Sequence, residues 1–343
     1  MSQPKMIVSF GDKQETSKVL LSICIPTYNR SAFLAQTIES IVTQPSFREG
    51  SCVELIVLDN CSQDSTSELC MMYLELYPEN FKYHRQLEPV QADINFRDVL
   101  NLASGDFLRL NNDTLMHDKH SLRYMLNVLG GITSSSASEN RETPFFSNGS
   151  IRLRIYPIYC PSMDSFLRLT CGTSTYIGAF GIWRDDFHLI QNCFSELAWK
   201  NHLGHVDCLF RLFELGRSIV IDNCVLATMN LPIYRGGYDI GEVVVAEYLR
   251  LCQRCVRLGL ITSGSMLRET RRSIINASKW FNNQLLYPNL YRFEFKDFFV
   301  IVKTSCSERP ILLAFFYLHM YFDYFLKFCR KSIKQLLLYI KRR

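Results

Sequence analysis

The sequence predicts an α/β fold, a doubly wound and mostly parallel sheet with a helical C-terminal appendage. Two continuous apolar segments rich in β-branched residues, 19–25 and 53–58, have the pattern of strands buried on both faces. Segments with apolar residues at helical spacing alternate with these and with two shorter strands, which is the order of a parallel sheet. The 343 residues are 48% hydrophobic and 21% charged, which is typical of a chain with a sizeable core.

Residues that start or stop an element set the predicted boundaries. Ser31 can cap the first helix, Pro45 breaks the chain after it, and Asp64 or Ser65 can cap the second helix. Gly105 separates the third helix from the strand that follows. The predicted elements after the polar leader 1–18 are strand 19–25, helix 31–42, strand 53–58, helix 65–77, strand 81–84, helix 94–102 and strand 107–110.

Polar residues follow three of these strands at the point where each strand ends. The carboxyl ends of parallel strands share one edge of the sheet, and open α/β sheets bind ligands there. Tyr28 can stack on a base, and Asp59 can accept hydrogen bonds from a base or ribose. Asn29 and Arg30 can meet phosphate or ribose. Taken singly, each is better explained as a turn former or edge packer. Taken together, three strand ends on one side of one sheet favour a nucleotide site.

The third of these strand ends, Asn111-Asn112-Asp113, offers hard oxygen ligands of the kind that Mg²⁺ or Mn²⁺ takes beside a diphosphate. A polar turn after a strand is the alternative. No Gly-x-Gly-x-x-Gly follows the first strand, and the chain contains no G-x-x-x-x-G-K-[ST]. These absences argue against a dinucleotide-binding domain and against a P-loop nucleoside triphosphatase.

Three motifs in this order, SICIPTYNR, IVLDNCSQDST and NFRDVLNLASGDFLRLNNDT, resemble the N-terminal half of family 2 glycosyltransferases with the GT-A fold. The resemblance is strong over 20–114 and extends more weakly to 241. It implies a nucleotide-diphosphate sugar as the donor. By this resemblance Pro26, Tyr28 and Asp59 line the nucleotide pocket, Asp64 lies in the loop that follows, and Asn95 and Asp98 flank the nucleotide sugar.

The metal motif departs from the pattern of the family. Family members carry Asp-x-Asp where this chain has Asn111, Asn112 and Asp113. Amide oxygens can still ligate or hydrogen-bond at the nucleotide sugar, but a single carboxylate weakens the affinity for a hard divalent cation. Asp113 is therefore the expected ligand of Mg²⁺ or Mn²⁺, which is the expected cofactor.

A helix is predicted from about Gly204 to Gly216, with Asp207 near its start. The exposed N–H groups of a helix start stabilise a carboxylate, so capping alone explains this residue. The segment also resembles the family's Glu-Asp motif, although Val206 stands where the family has the first acid. In the family this Asp is the general base of inverting enzymes, and the resemblance gives that role to Asp207.

The middle of the chain carries weaker patterns. Segment 130–149 has the composition of a loop, and 151–158 alternates like an exposed strand. Segment 175–183 resembles the family's acceptor-side strand and turn, with a glycine-kinked core strand as the alternative. The glycine-rich segment 234–238 is expected to be a flexible loop whose Arg235 closes over the diphosphate, or else a simple linker.

The chain is expected to be helical from 240, so the predicted domains are 1–18, 19–239, 240–309 and 310–343. The last segment is expected to form an apolar helix and then a basic amphipathic helix, which suits an anionic membrane surface; a core-docking helix is the alternative. From Lys327 to Arg343 there are seven Lys or Arg and no acid, while the other 326 residues hold 31 basic and 33 acidic side chains. The positive charge belongs to the tail, which argues against a nucleic-acid partner.

The family resemblance and the C-terminal segment together predict an inverting glycosyltransferase. It would move a sugar to a hydroxyl of a polyprenyl-linked saccharide in bacterial surface polysaccharide synthesis. The Asn-rich motif and the Gly-Gly-Tyr segment resemble deoxysugar transferases of O-antigen assembly, such as abequosyl or rhamnosyl transferases. Thirteen scattered cysteines and a leader without an apolar run indicate the cytoplasm. The C-terminal segment indicates peripheral attachment to the inner membrane. The alternatives are a non-catalytic relative that binds the acceptor or a partner enzyme, and a nucleotidyltransferase.

Overall fold

The structure is a computed structural model that describes residues 7–10, 18–50, 52–135, 141–151, 157–170, 172–194, 199, 202–230, 235–307 and 309–341. The chain divides into two compact units, Met1–Leu231 and Pro232–Arg343. The sequence prediction placed this boundary between 239 and 240.

The first unit combines parallel and antiparallel strands with helices. Its strands are β1 (Ile7–Phe10), β2 (Leu21–Thr27), β3 (Val53–Asp59), β4 (Phe81–Gln86), β5 (Phe107–Leu110), β6 (Leu115–His117), β7 (Thr143–Phe146), β8 (Ile158–Cys160), β9 (Gly181–Trp183), β10 (Ile219–Asp222) and β11 (Ala227–Met229). Its helices are α1 (Ser31–Val42), α2 (Pro45–Arg48), α3 (Thr66–Leu76), α4 (Ala92–Asn101), α5 (Ser121–Ser135), α6 (Met163–Thr170), α7 (Arg184–Cys193) and α8 (Gly204–Glu214).

The main sheet has the strand order β1-β4-β3-β2-β5-β9. Its four inner strands are parallel, and β1 and β9 pair antiparallel at the two edges. The chain moves outward from β2 to β3 and β4, and then crosses back to β5 on the other side of β2. This confirms the predicted doubly wound, mostly parallel sheet. The strand order reverses between β2 and β5, which is the usual place for a ligand.

The central strands are buried over their full length, which explains their continuous apolar sequences. Ile23 of β2 and Leu55 of β3 join one apolar cluster with residues of α1, α3 and α5, among them Ile38, Tyr73 and Leu122. Helix α4 packs against β2, β3 and β5. The helices are therefore packed on the sheet, and the loops at its carboxyl edge extend from this packed core.

One buried carboxylate holds the turn before β5 against its neighbours. Glu54 of β3 accepts hydrogen bonds from Ser104 N–H at 2.7 Å and Ser22 Oγ at 2.5 Å, and pairs with Lys82 Nζ at 2.7 Å. A Cβ on Gly105 would stand 2.5 Å from Ser22 Oγ and 2.8 Å from its backbone nitrogen, so only glycine fits. This close approach sets β5 beside β2 and positions the residues that follow β5.

Two boundary predictions near the N-terminus were wrong. Ile7–Phe10, inside the predicted polar leader, forms the edge strand β1 on β4. This apolar segment is only four residues long and lies within an otherwise polar leader. Pro26 and Thr27, predicted in a loop, end β2. Strand β5 pairs with β2 only as far as Cys24, so in the described chain β2 has one strand neighbour beyond that point and the missing N–H of Pro26 is tolerated.

Segment 130–149, predicted as a loop, is partly regular. Helix α5 continues to Ser135, and the buried strand β7 pairs in parallel with β10 in a sheet of order β7-β10-β8. Strands β6 and β11 form a separate antiparallel pair. The expected exposed strand 151–158 falls mostly on 152–156, which lie outside the described residues.

The second unit is mainly helical, as predicted. It contains the strands β12 (Arg235–Asp239) and β13 (Tyr291–Glu294) and the helices α9 (Tyr248–Arg257), α10 (Ser263–Leu286), α11 (Phe298–Ser305) and α12 (Pro310–Lys341). Arg235 begins a strand that pairs with β13, so the predicted flexible loop at this position is wrong. Segment 310–341 is one continuous helix instead of the predicted two, because no Gly or Pro follows Pro310 to break it.

Candidate functional site

The residues that follow β2, β3 and β5 meet at the carboxyl edge of the main sheet. Thr27 and Asp59 are register partners at the ends of β2 and β3, and Asn60 donates its N–H to the Thr27 carbonyl at 2.9 Å. On the other side of β2, Asn111 donates its N–H to the Cys24 carbonyl at 2.9 Å. The three strand ends therefore lie side by side at the point where the strand order reverses.

Asp113 is the acidic centre of this edge. Its Oδ2 accepts a hydrogen bond from Thr27 Oγ1 at 3.1 Å, and its Oδ1 pairs with Arg30 Nη1 at 3.0 Å. Thr37 donates its hydroxyl to the Asp113 carbonyl at 2.9 Å, which ties the turn to α1. Asp113 is only 5% exposed; burial raises the pKa of its carboxyl, and the Arg30 guanidinium opposes that rise. It is thus a nearly buried carboxylate that depends on a nearby cation.

Asn111 is fully buried and hydrogen-bonded within the protein. Its Oδ1 accepts a hydrogen bond from His117 Nε2 at 2.9 Å, and its Nδ2 donates to the Asn112 carbonyl at 3.0 Å. Ser121 Oγ lies 3.0 Å from His117 Nδ1, so both ring nitrogens have partners. Burial lowers the pKa of His117 to about 3, which keeps the ring neutral. Sequence patterns did not single out His117, because it lies close to Asn111 only once the chain has turned into β6.

Asp59 is enclosed by partners from its own sheet and loop. Its Oδ1 accepts the Ser62 N–H at 2.8 Å, while its Oδ2 accepts from Tyr83 Oη at 3.1 Å and pairs with Arg85 Nη1 at 2.8 Å. Asp59 is fully buried, whereas 29% of the Arg85 side chain is exposed. Asp59 therefore holds the end of β3 and the loop after it together. Of the two partners in this ion pair, Arg85 is the more accessible. Neither Tyr83 nor Arg85 was predicted, because β4 carries no motif of its own.

The loops after β2 and β3 are tied to each other. Asn29 has a φ of 51°, its N–H donates to Ser62 Oγ at 2.8 Å, and its Oδ1 accepts the Gln63 N–H at 2.7 Å. Asp64 Oδ2 accepts the Ser31 N–H at 2.9 Å at the start of α1. Although burial raises the pKa of Asp64, hydrogen bonds led by that of Ser31 outweigh it and lower this pKa. Asn29 and Asp64 thus hold the two loops in place.

Asn95 and Asp98 share a partner at the end of β4. Gln86 Nε2 donates to Asn95 Oδ1 at 3.2 Å and to Asp98 Oδ2 at 3.0 Å. Asn95 Nδ2 donates to the Leu58 carbonyl at 3.2 Å, and Arg97 pairs with Asp98 Oδ1 at 2.7 Å. Asn95 is only 2% exposed, so these contacts fix α4 against β3 beside the strand ends.

Asp207 lies in the first turn of α8, fully buried, with its Oδ1 3.4 Å from Arg211 Nε. The start of this helix is held from α4, because Asp93 Oδ2 accepts the Gly204 N–H at 2.8 Å. A Cβ on Gly204 would stand 2.2 Å from the Trp199 ring, so the backbone is tightly packed here. Burial raises the pKa of Asp93 to about 7, and the Gly204 hydrogen bond only partly offsets this. Asp93, which sequence patterns missed, therefore caps the helix that carries Asp207.

The segment expected on the acceptor side forms two short 3₁₀ turns, Thr173–Thr175 and Ile177–Ala179, before β9. His205 of α8 hydrogen-bonds through Nε2 to the Thr175 carbonyl at 3.1 Å. Arg109, fully buried in β5, donates to the Gly178 carbonyl at 2.8 Å. These two contacts join the turns to the helix of Asp207 and to the strand that precedes Asp113.

The remaining predicted residues differ in accessibility. Tyr28 is 49% exposed at the edge, Pro26 is buried within β2, and Asn112 is half-buried. Asp207 lies on α8, which packs against α4, and α4 in turn packs on the main sheet. Arg235 belongs to the second unit, and its side chain lies outside the described residues.

Metal ligation at this edge would rest on Asp113. Within the described ranges, no group of three or more His, Cys, Asp or Glu side chains could hold a metal ion. Mg²⁺ is usually held by one or two carboxylates together with substrate phosphates. Asp113 therefore fits a cation that arrives with a diphosphate, and it does not by itself form a complete metal site.

The parallel core, its antiparallel edge strands and the polar loops around a single acid after β5 define an α/β domain of the GT-A type. Residues 22–187 match the family model "Glycosyl transferase family 2", so this part of the chain belongs to that family. The family predicted from the three motifs is confirmed.

Known proteins resemble the chain over different lengths. Abequosyltransferase RfbV from Salmonella typhimurium is 35% identical over 89 residues, which are 26% of this chain and 26% of that protein. S. aureus TarS 1–349 matches with a TM-score of 0.54 and 14% identity, covering 89% of both chains. Mannosyltransferase PcManGT from Pyrobaculum calidifontis, in complex with GDP-Man and Mn²⁺, matches with a TM-score of 0.50 and 11% identity, covering 90% of this chain and 88% of that one. At 14% and 11% identity, the similarity to these two structures concerns the fold, and it confirms the GT-A architecture.

Proposed function

We propose that the protein is a glycosyltransferase that moves a sugar from a nucleotide-diphosphate sugar to a hydroxyl of a saccharide in bacterial surface polysaccharide synthesis. The observation that carries the proposal is Asp113, a nearly buried carboxylate at the switch point of a family 2 domain with an arginine as its charged partner. A diphosphate and its cation would complete such a site. RfbV is by name an abequosyltransferase, and PcManGT was solved with GDP-Man and Mn²⁺; both fit this chemistry.

In the proposed reaction Asp207 is the general base. The acceptor hydroxyl gives its proton to the Asp207 carboxylate while its oxygen bonds to the anomeric carbon. The bond from that carbon to the diphosphate oxygen breaks, and the nucleoside diphosphate leaves with the electron pair. Attack opposite the leaving group inverts the anomeric configuration. Arg211 on the same helix and the Asp93 cap at its start hold the base in position.

The other site residues have proposed roles around the donor. A Mg²⁺ or Mn²⁺ ion, when bound, would offset the charge of the leaving diphosphate. Asp113 would hold the ion, and Thr27 orients that carboxylate through its hydrogen bond. Tyr28 is exposed enough to stack on the base. The proposed donor contacts also include Pro26, Asn29, Asp59, Asp64, Asn95, Asp98, Asn111 and Asn112, with Arg235 as a partner of the diphosphate.

We propose further that the acceptor is polyprenyl-linked and that α12 lies on the cytoplasmic surface of the inner membrane. One side of α12 buries Leu312, Phe316 and Met320 and packs on α10. The segment Pro310–Ile333 is long and apolar enough to cross a membrane, with a mean hydropathy of 1.3. The large apolar side chains that it exposes are Ile311, Leu318, Tyr321, Phe322, Tyr324, Phe325, Leu326, Phe328 and Ile333.

Polar contacts on the packed side favour a helix that lies on the membrane over one that spans it. Asn282 of α10 donates to Asp323 Oδ2 at 2.9 Å, and Lys327 Nζ pairs with the same oxygen at 2.8 Å. Lying flat keeps these groups within the protein while the exposed apolar side meets lipid, and the basic tail meets anionic headgroups. A spanning helix would carry the ion pair into hydrocarbon, which is costly.

Transfer of a labelled sugar by the full chain in the presence of membranes tests the reaction. Asp207→Asn should lower turnover at least about a hundredfold, because general-base catalysis contributes about 10²–10⁴. Asp113→Ala should lower it as well through loss of the donor's cation. Asp185→Asn, at an aspartate with 72% of its side chain exposed, is the control and should keep full turnover.

The second candidate, a non-catalytic relative that binds the acceptor, is favoured by Asn111, which replaces an acid and is bonded to His117. Full transfer in both Asp113→Ala and Asp207→Asn would exclude the proposed mechanism, and no transfer in the wild type with any donor would favour this candidate. A thermal-shift panel of UDP, CDP, GDP and dTDP with Mn²⁺ identifies the donor base, since specific binding stabilises the fold.

A further inference from the structure

The Arg30–Asp113 ion pair puts a cation of the protein where the proposed metal would bind. Arg30 Nη1 is 3.0 Å from Asp113 Oδ1, and Thr27 Oγ1 occupies the other carboxylate oxygen at 3.1 Å. Asp113 is only 5% exposed, and a buried carboxylate without a counter-charge is strongly unfavourable. The ionised Asp113 therefore needs a cation beside it both before and after a ligand binds.

Arg30 has the freedom that Asp113 lacks. Its side chain is 42% exposed, against 6% for that of Asp113. The contact with Asp113 uses one guanidinium N–H, and a guanidinium has five N–H donors in a planar fork. That fork matches phosphate oxygens in bidentate contacts. Arg30 also lies just after β2, at the switch point where a diphosphate is expected.

A divalent cation and the Arg30 guanidinium cannot both stay on Asp113 Oδ1. Two positive groups at contact distance from one oxygen repel each other, and burial strengthens this repulsion. A cation that binds there must displace Arg30. The diphosphate that accompanies the cation supplies the anion that can receive the displaced guanidinium.

We infer that Arg30 is a donor-binding residue with two partners: it neutralises Asp113 in the nucleotide-free protein and moves to the diphosphate when nucleotide and cation bind together. This rests on the proposed function. The cation alone binds weakly, because it must displace Arg30 while no new anion is present. Nucleotide and cation strengthen each other's binding by the same factor, because thermodynamic coupling is reciprocal.

Mn²⁺ binding to the full chain, measured from the electron paramagnetic resonance of free Mn²⁺, tests the inference. The nucleotide is whichever of UDP, CDP, GDP and dTDP raises the melting temperature most with Mn²⁺. In the wild type, Mn²⁺ should bind about tenfold or more tightly when that nucleotide is present. In Arg30→Gln, Mn²⁺ alone should bind about tenfold more tightly than in the wild type, and the nucleotide about tenfold more weakly.

Two further variants make the comparison specific. Arg184→Gln removes another partly exposed arginine, 3.9 Å from Asp106 just before β5, and should leave both affinities unchanged. Arg30→Lys keeps the charge but loses the planar fork. It should leave the affinity for Mn²⁺ alone near that of the wild type while still weakening nucleotide binding, and it carries the test if Arg30→Gln does not fold.

Three results would overturn the inference. One is an unchanged or lower affinity for Mn²⁺ alone in an Arg30→Gln variant that melts like the wild type. Another is equal Mn²⁺ affinity with and without nucleotide in the wild type. The third, an Arg30→Lys variant with undiminished nucleotide affinity, would mean that the fork does not meet the diphosphate. If no nucleotide raises the melting temperature of the wild type with Mn²⁺, the proposed donor itself is wrong, which is a separate failure seen before any variant is made.

Discussion

Replacing Asp93 by asparagine should stabilise the protein increasingly as the pH rises from about 4 to about 7. Asp93 is 2% exposed in the first turn of α4, where it accepts the Gly204 N–H. Burial raises its pKa from 3.8 to about 7, because one backbone hydrogen bond does not replace the water that an ionised carboxylate loses. Asparagine is neutral at every pH, and its side-chain oxygen can still accept from Gly204.

The sign and the size follow from proton linkage. Below about pH 4 the Asp93 carboxyl is protonated in the folded and the unfolded chain, so its burial carries no ionisation penalty. Between about pH 4 and pH 7 the unfolded chain releases the proton while the folded chain keeps it, so the free energy of unfolding falls as the pH rises. About three pKa units at about 1.4 kcal/mol each give a loss on the order of 4 kcal/mol, which is complete above about pH 7.

Urea denaturation from about pH 5 to about pH 8, followed by tryptophan fluorescence, measures this loss. Trp199 is a suitable reporter because it packs on Gly204. The difference in unfolding free energy between Asp93→Asn and the wild type should grow by about 1.4 kcal/mol per pH unit and level off above about pH 7. Asp64→Asn is the control, because hydrogen bonds lower the pKa of Asp64 and its ionised form adds stability that is fully present above about pH 4. This variant should therefore be less stable than the wild type by the same amount across the measured range. A difference that is equal at both ends of the range would refute the reasoning about Asp93.

Three other outcomes are expected. Gly105→Ala should lower the free energy of unfolding by about 1–3 kcal/mol, because the new Cβ clashes with the start of β2. Gly130→Ala is the control for thermal denaturation and should not lower it, because no atom lies within 4 Å of its new Cβ. Asn111→Asp should raise the pKa of His117, measured by nuclear magnetic resonance, because a carboxylate at 2.9 Å favours the charged ring; an unchanged pKa would contradict the contact. Phe322→Asp should weaken flotation with vesicles of anionic lipid, and undiminished flotation would remove α12 as the membrane contact.

Much of the main sheet could be predicted because its signals are local. Strands β2 and β3 are buried on both faces, which demands continuous apolar segments, and both were predicted. The strand before Asp113 was also predicted, since Gly105 marks its start. The edge strand β1 and the strand β12 were missed, because they are only four and five residues long.

The candidate site divides in the same way. The residue types at the ends of β2, β3 and β5 were visible in the motifs, and so was the departure at Asn111. The partners of these residues were not visible, because they come from other elements: Arg85 from β4 for Asp59, and His117 from β6 for Asn111.

The sequence by itself determined the order of the elements, the family and the acid at Asp113. The apolar patterns of the strands and the motifs at their ends involve residues that are close in sequence, so they can be read from the sequence alone. Only the tertiary structure decided that Arg30 neutralises Asp113 and that Asp93 caps the helix of Asp207. These contacts join residues that are 83 and 111 positions apart, so they exist only once the sheet has brought the strand ends and helix starts together.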